Sequence, residues 1–373
     1  MPTLGEVVAV LERLYPPVWA ADWDTVGLVC GAPEDPVQRV LFAVDPVAST
    51  VSEAIDTGAQ LLVTHHPLFL AGVHGVPAST YKGRLVHDLI RNGIGLYAAH
   101  TNADAADPGV SDALATAIGL TDLRPLRADA ADPLDVVVVY VPTEDTEALV
   151  DAMSTAGAGA IGGYSRCAWQ GSGTGTFLPG SGAHQAVGAV GEITRVDETR
   201  VEMVLPRALR GRVRDALLAA HPYEEPAYHF LSVADSAGNR GTGRIGRLPA
   251  PVPLRTFVRQ VAEALPTTVA GIRAAGDPDA PVQQVAVCGG AGDSLLGAAT
   301  AAGVDCYVTA DLRHHPVSEH VAAGGPAVLD VGHWAGEWPW LRDAADRLRA
   351  GLDSEVDVAV SELVTDPWTL RED

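Results

Sequence analysis

Hydrophobic and polar positions alternate along this chain in two rhythms. Short continuous apolar runs, such as "RVLFAVD" (39–45), "QLLVTHH" (60–66) and "GLYAAH" (95–100), read as buried strands. Between them "ASTVSEAIDTGA" and "GRLVHDLIRNGI" carry helical spacing, the first with Ser and Thr at capping positions. The pattern returns near the C-terminus, where "VQQVAVCGG", "DCYVTAD" and "PAVLDVGH" read as strands and "DSLLGAATAAGV" and "SEHVAAGG" as helices. Continuous apolar strands separated by helices of about ten residues predict an α/β fold with largely parallel sheets.

The middle of the chain has a different texture. "LDVVVVYVP", a pair of strands within "GAVGEITRVDETRVEMVLP", and "AYHFLSVAD" flank the helical stretches "EDTEALVDAMSTAG" and "ALRGRVRDALLAAH". The order strand, helix, two strands, helix, strand predicts a ferredoxin-like α+β module. Turn-forming stretches, "RADAADP" before it and "DSAGNRGTGRIGRLPAPVP" after it, mark its boundaries. The expected organisation is a discontinuous α/β domain of residues 1–130 and 238–373, interrupted by an inserted domain of residues 131–237.

Composition narrows the function classes. A net charge of -22 argues against non-specific binding to nucleic acid or to an anionic membrane, since both need a basic surface. No apolar run approaches the length of a membrane span, and the N-terminal "MPTLGEVVAVLERLYPP" is acidic where a signal peptide is basic, so a cytoplasmic location is expected. Cys30, Cys167, Cys288 and Cys306 are far apart and indicate neither a disulfide framework nor a thiolate metal site.

The candidate chemistry lies at the strand ends. In a parallel sheet the residues that end successive strands gather along one edge, where ligands bind. Four runs end in or near histidine: "LLVTHH" offers His65 and His66, "GLYAAHTNAD" offers His100 and Asp104, "CYVTADLRHH" offers Asp311 and His315, and "AVLDVGHWAGE" offers His333 and Glu337. Pro67 takes the chain out of the strand, which lets two adjacent imidazoles converge. His333 and Glu337 are four apart, on one face of a helical turn. His65, His66, Asp104, His333 and Glu337 are too many ligands for one catalytic zinc with an open position, and fit a pair of ions bridged by a carboxylate. Zinc, iron, manganese, cobalt and nickel all suit such a mixed set. His100 and His315, at the same edge but outside the ligand count, are candidates for proton transfer or substrate contact.

"WDTVGLVCG" (23–31), "THHPLF" (64–69), "HTNAD" (100–104), "TADLRHH" (309–315) and "DVGHWAGE" (330–337) resemble the Nif-three-like dinuclear metal-binding proteins, also called GTP cyclohydrolase I type II homologues. The resemblance covers essentially the whole chain. It implies a Nif-three-like fold, the same five ligands with Glu337 bridging, and a toroidal homohexamer. "GGYSRCAWQGSGTGTFLPG" through "AHPYEEPAY" is similar to the inserted PII/CutA-like domain of long bacterial members. Two features depart from the family pattern: Ala310-Asp311 stands where Gly-Asp is usual, and "DVGHWAGEWPW" is more aromatic, so that Trp334, Trp338 and Trp340 either wall the pocket or pack the following helix.

Two motifs keep two readings. "VCGGAGDS" (287–294) is either a phosphate-binding loop or a tight turn. "AAHPYEEPAY" (219–228) is either a second metal site through His221, Glu224 and Glu225, or a structural turn or subunit contact. A two-ion centre suits a hydrolase, with a nucleotide or phosphoester as substrate and GTP suggested by the resemblance alone. The rival reading is a non-catalytic protein that binds metal or a small metabolite and acts through partners.

Overall fold

Buried four- and five-residue apolar runs are too short for helices and become the strands of the N-terminal region. They are β1 (Gly27–Cys30), β2 (Arg39–Ala43), β3 (Leu61–Thr64) and β4 (Gly95–Ala98), followed by the longer β5 (Thr121–Ala130). Around them lie α1 (Leu4–Leu14), α2 (Ala48–Asp56), α3 (Tyr81–Arg91), α4 (Thr101–Ala105) and α5 (Val110–Ala117). A reciprocal Thr3–Glu6 capping box opens α1, and the Thr80 hydroxyl caps α3 by accepting from Gly83 N. The structure is a computed structural model that describes residues 1–182, 186–353 and 355–372.

The chain forms two units, one of Met1–Asp129 with Asn239–Asp373 and the other of Ala130–Gly238. In the second unit the order is β6 (Leu134–Pro142), α6 (Thr146–Thr155), β7 (Trp169–Phe177), β8 (Thr194–Pro206), α7 (Arg210–Ala220) and β9 (Tyr228–Ser232). Its antiparallel sheet has the order β7-β8-β6-β9. Alternate residues Val137, Val139 and Val141 turn to one face, where Leu149 and Met153 of α6 and Val213 and Leu217 of α7 cover them. The strand pair expected within residues 188–206 is instead a single strand, β8, whose partner is β7, "WQGSGTGTF". Small glycines and hydroxyls let β7 pair by backbone alone, without the apolar alternation that marks a strand in sequence.

The first unit resumes with β10 (Ala237–Pro253), α8 (Leu254–Ala264), β11 (Arg273–Ala275), β12 (Pro281–Ala291), α9 (Leu296–Ala301), β13 (Cys306–Ala310), α10 (His314–Ala322), β14 (Ala327–Asp330), α11 (His333–Gly351) and β15 (Asp357–Val360). The turn-rich stretch 235–253 is therefore mostly one long strand. Gly241, at φ +147, and Gly246 pack so closely on β5 and the turn before it that a Cβ at either would strike backbone within about 3 Å.

Two sheets, rather than one, make up this unit. The order β1-β4-β3-β2-β15 is parallel except for β1. The order β11-β14-β13-β12-β10-β5 is mixed: β12, β13 and β14 run parallel, while β10 is antiparallel to β12 and β11 to β14. The expectation of largely parallel sheets thus holds for the first sheet and fails for the second, and the fold is a mixed α/β one.

Helix α11 lies against strands of both sheets. Trp340, Leu341, Ala344 and Leu348 on its buried side pack with Val40, Phe42 and Val63. A long helix sandwiched this way must carry an almost continuous apolar stripe, and any polar group on it is buried with it. Glu337 is such a group. All four cysteines are free, and among the described residues no helix is long and apolar enough to cross a membrane.

Candidate metal centre

The C-terminal ends of β3 and β4 in one sheet, and of β13 and β14 in the other, meet at the start of α11. Beyond β3 the backbone continues two residues along β2, with His65 N donating to Ala43 O and His66 N to Val44 O. Both imidazoles then turn to the same place, their rings 5.1 Å apart. After β14 the chain reverses at Gly332, whose φ of +81 favours glycine, and enters α11 at His333. One helical turn later comes Glu337, with its Oε1 3.0 Å from His333 Nε2.

Glu337 is the hub. His65 Nε2 stands 3.5 Å from Oε1 and His66 Nε2 3.2 Å from Oε2, while His66 and His333 approach each other Nε2 to Nε2 at 3.2 Å. Asp104 Oδ1 lies 3.8 Å from His65 Nε2. Two overlapping triples, His66–His333–Glu337 and His65–His66–His100, each bring their ligand atoms within 4.8 Å of one another. The structure therefore gathers His65, His66, His333 and Glu337, adds His100 to them, and leaves Asp104 beside His65. His315 lies elsewhere: α10 begins at His314, which puts His315 in an exposed first turn that lines neither the cluster nor the cavity beside it.

Every imidazole is held from behind. His65 Nδ1 donates to Ala99 O at 2.9 Å, His66 Nδ1 to Asp45 at 2.7 Å, His333 Nδ1 to Asp311 at 2.8 Å and His100 Nδ1 to Asp24 at 3.0 Å. Each such bond assigns the Nδ1 proton and aims Nε2 inward, as outer acceptors do around metal-ligating histidines. Asp311 adopts φ +58, left-handed backbone that aspartate tolerates better than most residues. Asp24 also accepts from Thr101 N, which ties the β4–α4 turn to the loop before β1.

The electrostatics are those of a cage made for positive charge. Burial opposes ionisation of Glu337, yet the imidazoles of His66, His65 and His333 hold its carboxyl well below the usual range. Burial also disfavours charged imidazoles, but Glu337 and Asp45 outweigh it and push His66 up to about 11. His333 rises to about 9, again against burial, through Glu337 and Asp311. The Asp104 carboxyl is pushed up by burial, with Glu337 adding to it. Two buried atoms, His65 Nε2 and Glu337 Oε2, have no hydrogen-bond partner. Buried polar atoms without partners are rare and costly, and a cation placed here would satisfy both.

Glycine makes the room. A Cβ at Gly290, which has φ +65, would lie 2.3 Å from Glu337 Oε1 and 3.2 Å from His333 Nε2. The "VCGGAGDS" stretch is thus the bare wall against which Glu337 fits, and the α9 helix after it has only six residues. Of the three tryptophans, Trp340 packs the helix, 5.2 Å from the His65 ring, Trp338 donates to Ser361 O, and Trp334 lines the adjoining cavity. In "AAHPYEEPAY" both His221 nitrogens are engaged: Nε2 donates to Tyr140 O at 2.9 Å and Nδ1 accepts from Tyr223 N at 3.1 Å. That histidine is a turn-maker with no lone pair left for a metal.

Sequence reasoning missed Asp24, Asp45 and Gly290. Asp45 follows β2 at the same edge as His65 and His66, so the strand-end rule that found the histidines covers it too. A cavity of about 960 Å³ opens beside Asp45, His66, Asp311 and His333, a volume suited to a small molecule.

The geometry defines a mixed α/β protein with a His/Glu cluster able to hold a metal ion. The pattern of the Duf34/NIF3 (NGG1p interacting factor 3) family matches residues 2–367, and the chain belongs to that family. It is 54% identical to a Mycobacterium tuberculosis protein named GTP cyclohydrolase 1 type 2 homolog, over 98% of this chain and 97% of the relative. It is 36% identical to the Bacillus subtilis protein of the same name, over 98% and 97%. Among solved structures, the Bacillus cereus protein related to NIF3 superposes with a TM-score of 0.84 at 35% identity, covering 99% of each chain.

Proposed function

We propose that this protein is a metal-dependent hydrolase of a nucleotide or related phosphorylated small molecule, built on a centre for two divalent transition-metal ions. The observation that carries the metal reading is the inward convergence of anchored Nε2 atoms on a buried glutamate, with His65 Nε2 and Glu337 Oε2 left without partners. His66 and His333 would hold one ion, His65 and Asp104 the other, with Glu337 shared. Zinc, iron, manganese, cobalt and nickel all accept this donor set. When bound, such ions act as Lewis acids toward a phosphoryl or carbonyl oxygen and make water a better nucleophile.

The remaining chemistry belongs to the chain itself. Asp45, Asp311 and the Ala99 carbonyl fix three ligand imidazoles. Asp24 holds His100 with Nε2 facing the cluster, an aspartate–histidine pair suited to accept or deliver a proton. The name carried by the relatives, GTP cyclohydrolase 1 type 2 homolog, supports a purine nucleotide as the first substrate to try. A toroidal homohexamer and cytoplasmic residence are part of the same proposal, by resemblance to the family.

The second unit's element order and its sheet order β7-β8-β6-β9 support a ferredoxin-like, PII/CutA-like module inserted into the metal-binding domain. An inserted module with its own core also favours a second reading, in which the protein senses metal or a metabolite without turnover. Incubating the metal-loaded chain with GTP and a panel of nucleotides and phosphoesters separates the two. Turnover that disappears in Glu337→Gln together with bound metal supports the hydrolase, and full turnover in that variant contradicts it. Metal binding with no turnover of any compound favours the sensor.

A further inference from the structure

Strand β15 runs parallel to β2, with Val360 beside Phe42, and Ser361 N still donates to Phe42 O at 2.7 Å. Parallel strands end at the same edge of a sheet, so the chain leaving β15 emerges where the chain leaving β2 carries Asp45. There the Thr365 hydroxyl donates to Asp45 Oδ2, across 320 positions of sequence. Asp45 Oδ1 accepts from His66 Nδ1 at 2.7 Å. One carboxylate is thus split between an imidazole of the cluster and a hydroxyl of the C-terminal segment.

The same order of groups occurs a second time. The Thr101 hydroxyl donates to Asp24 Oδ2, and Asp24 Oδ1 accepts from His100 Nδ1 at 3.0 Å. Thr101 opens α4, next to His100 itself, so that arrangement is fixed locally. Thr365 is half-buried in residues 361–372, a stretch with no helix or strand. Behind His333 the pattern is missing: the Asp311 side chain is 54% exposed, and among the described residues no hydroxyl donates to it.

The hydroxyl has a physical task. A carboxylate turns easily about its last bond, and a single hydrogen bond to His66 fixes one oxygen but not the plane. The second bond, from Thr365, sets the plane and with it the line along which Oδ1 holds the imidazole. Asp366, the next residue, carries a carboxylate close enough for Asp45 and Asp311 to act on it. Like charges nearby would push an untied Asp45 carboxylate off that line.

We infer that Thr365 is a positioning residue: through Asp45 it aims His66, and so makes the hold on an ion beside His66 and His333 depend on the docking of the C-terminal segment. The inference rests on reading the cluster as a metal centre. The coupling runs both ways, because whatever Thr365 adds to metal affinity, bound metal adds to the docking of the segment. Residues 365–368 and 370–372 of that segment line the cavity of about 960 Å³ beside the centre, so the wall of the cavity is held more firmly when the ion is in place.

The test is titration of the metal-free full chain with zinc in competition with a chromophoric chelator, beside hydrogen exchange of residues 361–372 read by mass spectrometry with and without zinc. Thr365→Val keeps the shape and loses the donor; it should weaken one of two zinc-binding steps about 10-fold and leave the other unchanged, and Thr365→Ser should restore it. Zinc should slow exchange of the segment in the wild type and not in Thr365→Val. In an Asp45→Ala background Thr365→Val should cost nothing more, since the carboxylate through which it acts is gone. An additive loss in that background, equal weakening of both steps, or exchange indifferent to zinc would overturn the inference. Two-step zinc binding that Thr365→Val leaves untouched keeps the metal centre and overturns the inference alone, whereas a wild type that binds no zinc overturns both. A single bound ion whose affinity falls in Thr365→Val supports the positioning role and counts against the two-ion centre.

Discussion

Replacing Gly290 by alanine tests the link between backbone and metal centre. The new Cβ would stand 2.3 Å from Glu337 Oε1, where an ordinary carbon–oxygen contact is about 3.3 Å, so the carboxylate must retreat by roughly 1 Å. The left-handed backbone, φ +65, adds about 1–2 kcal/mol of strain for any residue with a Cβ. At about 2–4 °C per kcal/mol for a unit of this size, the melting temperature should fall by about 2–8 °C. Metal affinity should fall further in proportion, because even outer partners of ligands are worth about 10–100-fold and Glu337 is the ligand we propose the two ions share. Affinity is read by competition with a chromophoric chelator, beside thermal unfolding of the same samples. Gly297→Ala is the control: it lies in α9 with nothing within 4 Å of its built Cβ, and should keep both metal affinity and stability. Wild-type metal affinity in Gly290→Ala would refute the claim that the glycine wall shapes the site.

Loading metal should release protons. With His66 raised to about 11 and His333 to about 9, both imidazoles hold extra protons at pH 7.5 that a cation must displace. Apparent affinity should therefore climb with pH, less steeply above about 9 but on toward about 11, and titration heats should differ between buffers of unlike ionisation enthalpy; buffer-independent heats would contradict this. The same raised values mean that in metal-free protein these groups stabilise fully below the ordinary imidazole pKa of about 6.5, and the contribution is lost as pH rises through 9 and then 11. Chemical denaturation of metal-free protein at pH 7 and pH 10 should show that decline, while metal-loaded protein should show less of it. Arg244 is buried, with Nε on Asp112 and its other nitrogens on the carbonyls of Ala106, Gly241 and Gly243, so Arg244→Met strands a buried carboxylate and should cost about 3–5 kcal/mol in urea unfolding. His221→Ala should lower stability and leave metal content unchanged; a loss of bound metal would make the "AAHPYEEPAY" turn a second metal site.

Much of this architecture is legible in local pattern, because buried strands and amphipathic helices announce themselves over a few residues. The histidines at strand ends were visible for the same reason: "LLVTHH" and "AVLDVGH" place a ligand type immediately after a buried run. What was hidden depends on distant pairing. That β12 borders β13 on one side and the antiparallel β10 on the other is a choice among sheet partners that no single segment records. Strand β7 lacks apolar alternation because its pairing is made by backbone, and β10 reads as a turn because its glycines serve close approach to β5. Asp24 and Asp45 hold His100 and His66 from 76 and 21 residues away, and carboxylates at loop starts look like ordinary turn formers. Gly290 is a space left for Glu337, and absent volume has no pattern. His315 followed the strand-end rule but not the chain, which turns into α10 before reaching the site.

The central claim is that anchored imidazoles and one shared glutamate form a two-ion centre. Anomalous diffraction from crystals of the metal-loaded protein, recorded on either side of the metal's absorption edge, tests it directly. Two peaks flanking the Glu337 carboxylate, one beside His66 and His333 and one beside His65 and Asp104, are expected. A single peak, or none at Glu337 under saturating metal, would contradict the two-ion centre and the hydrolase built upon it.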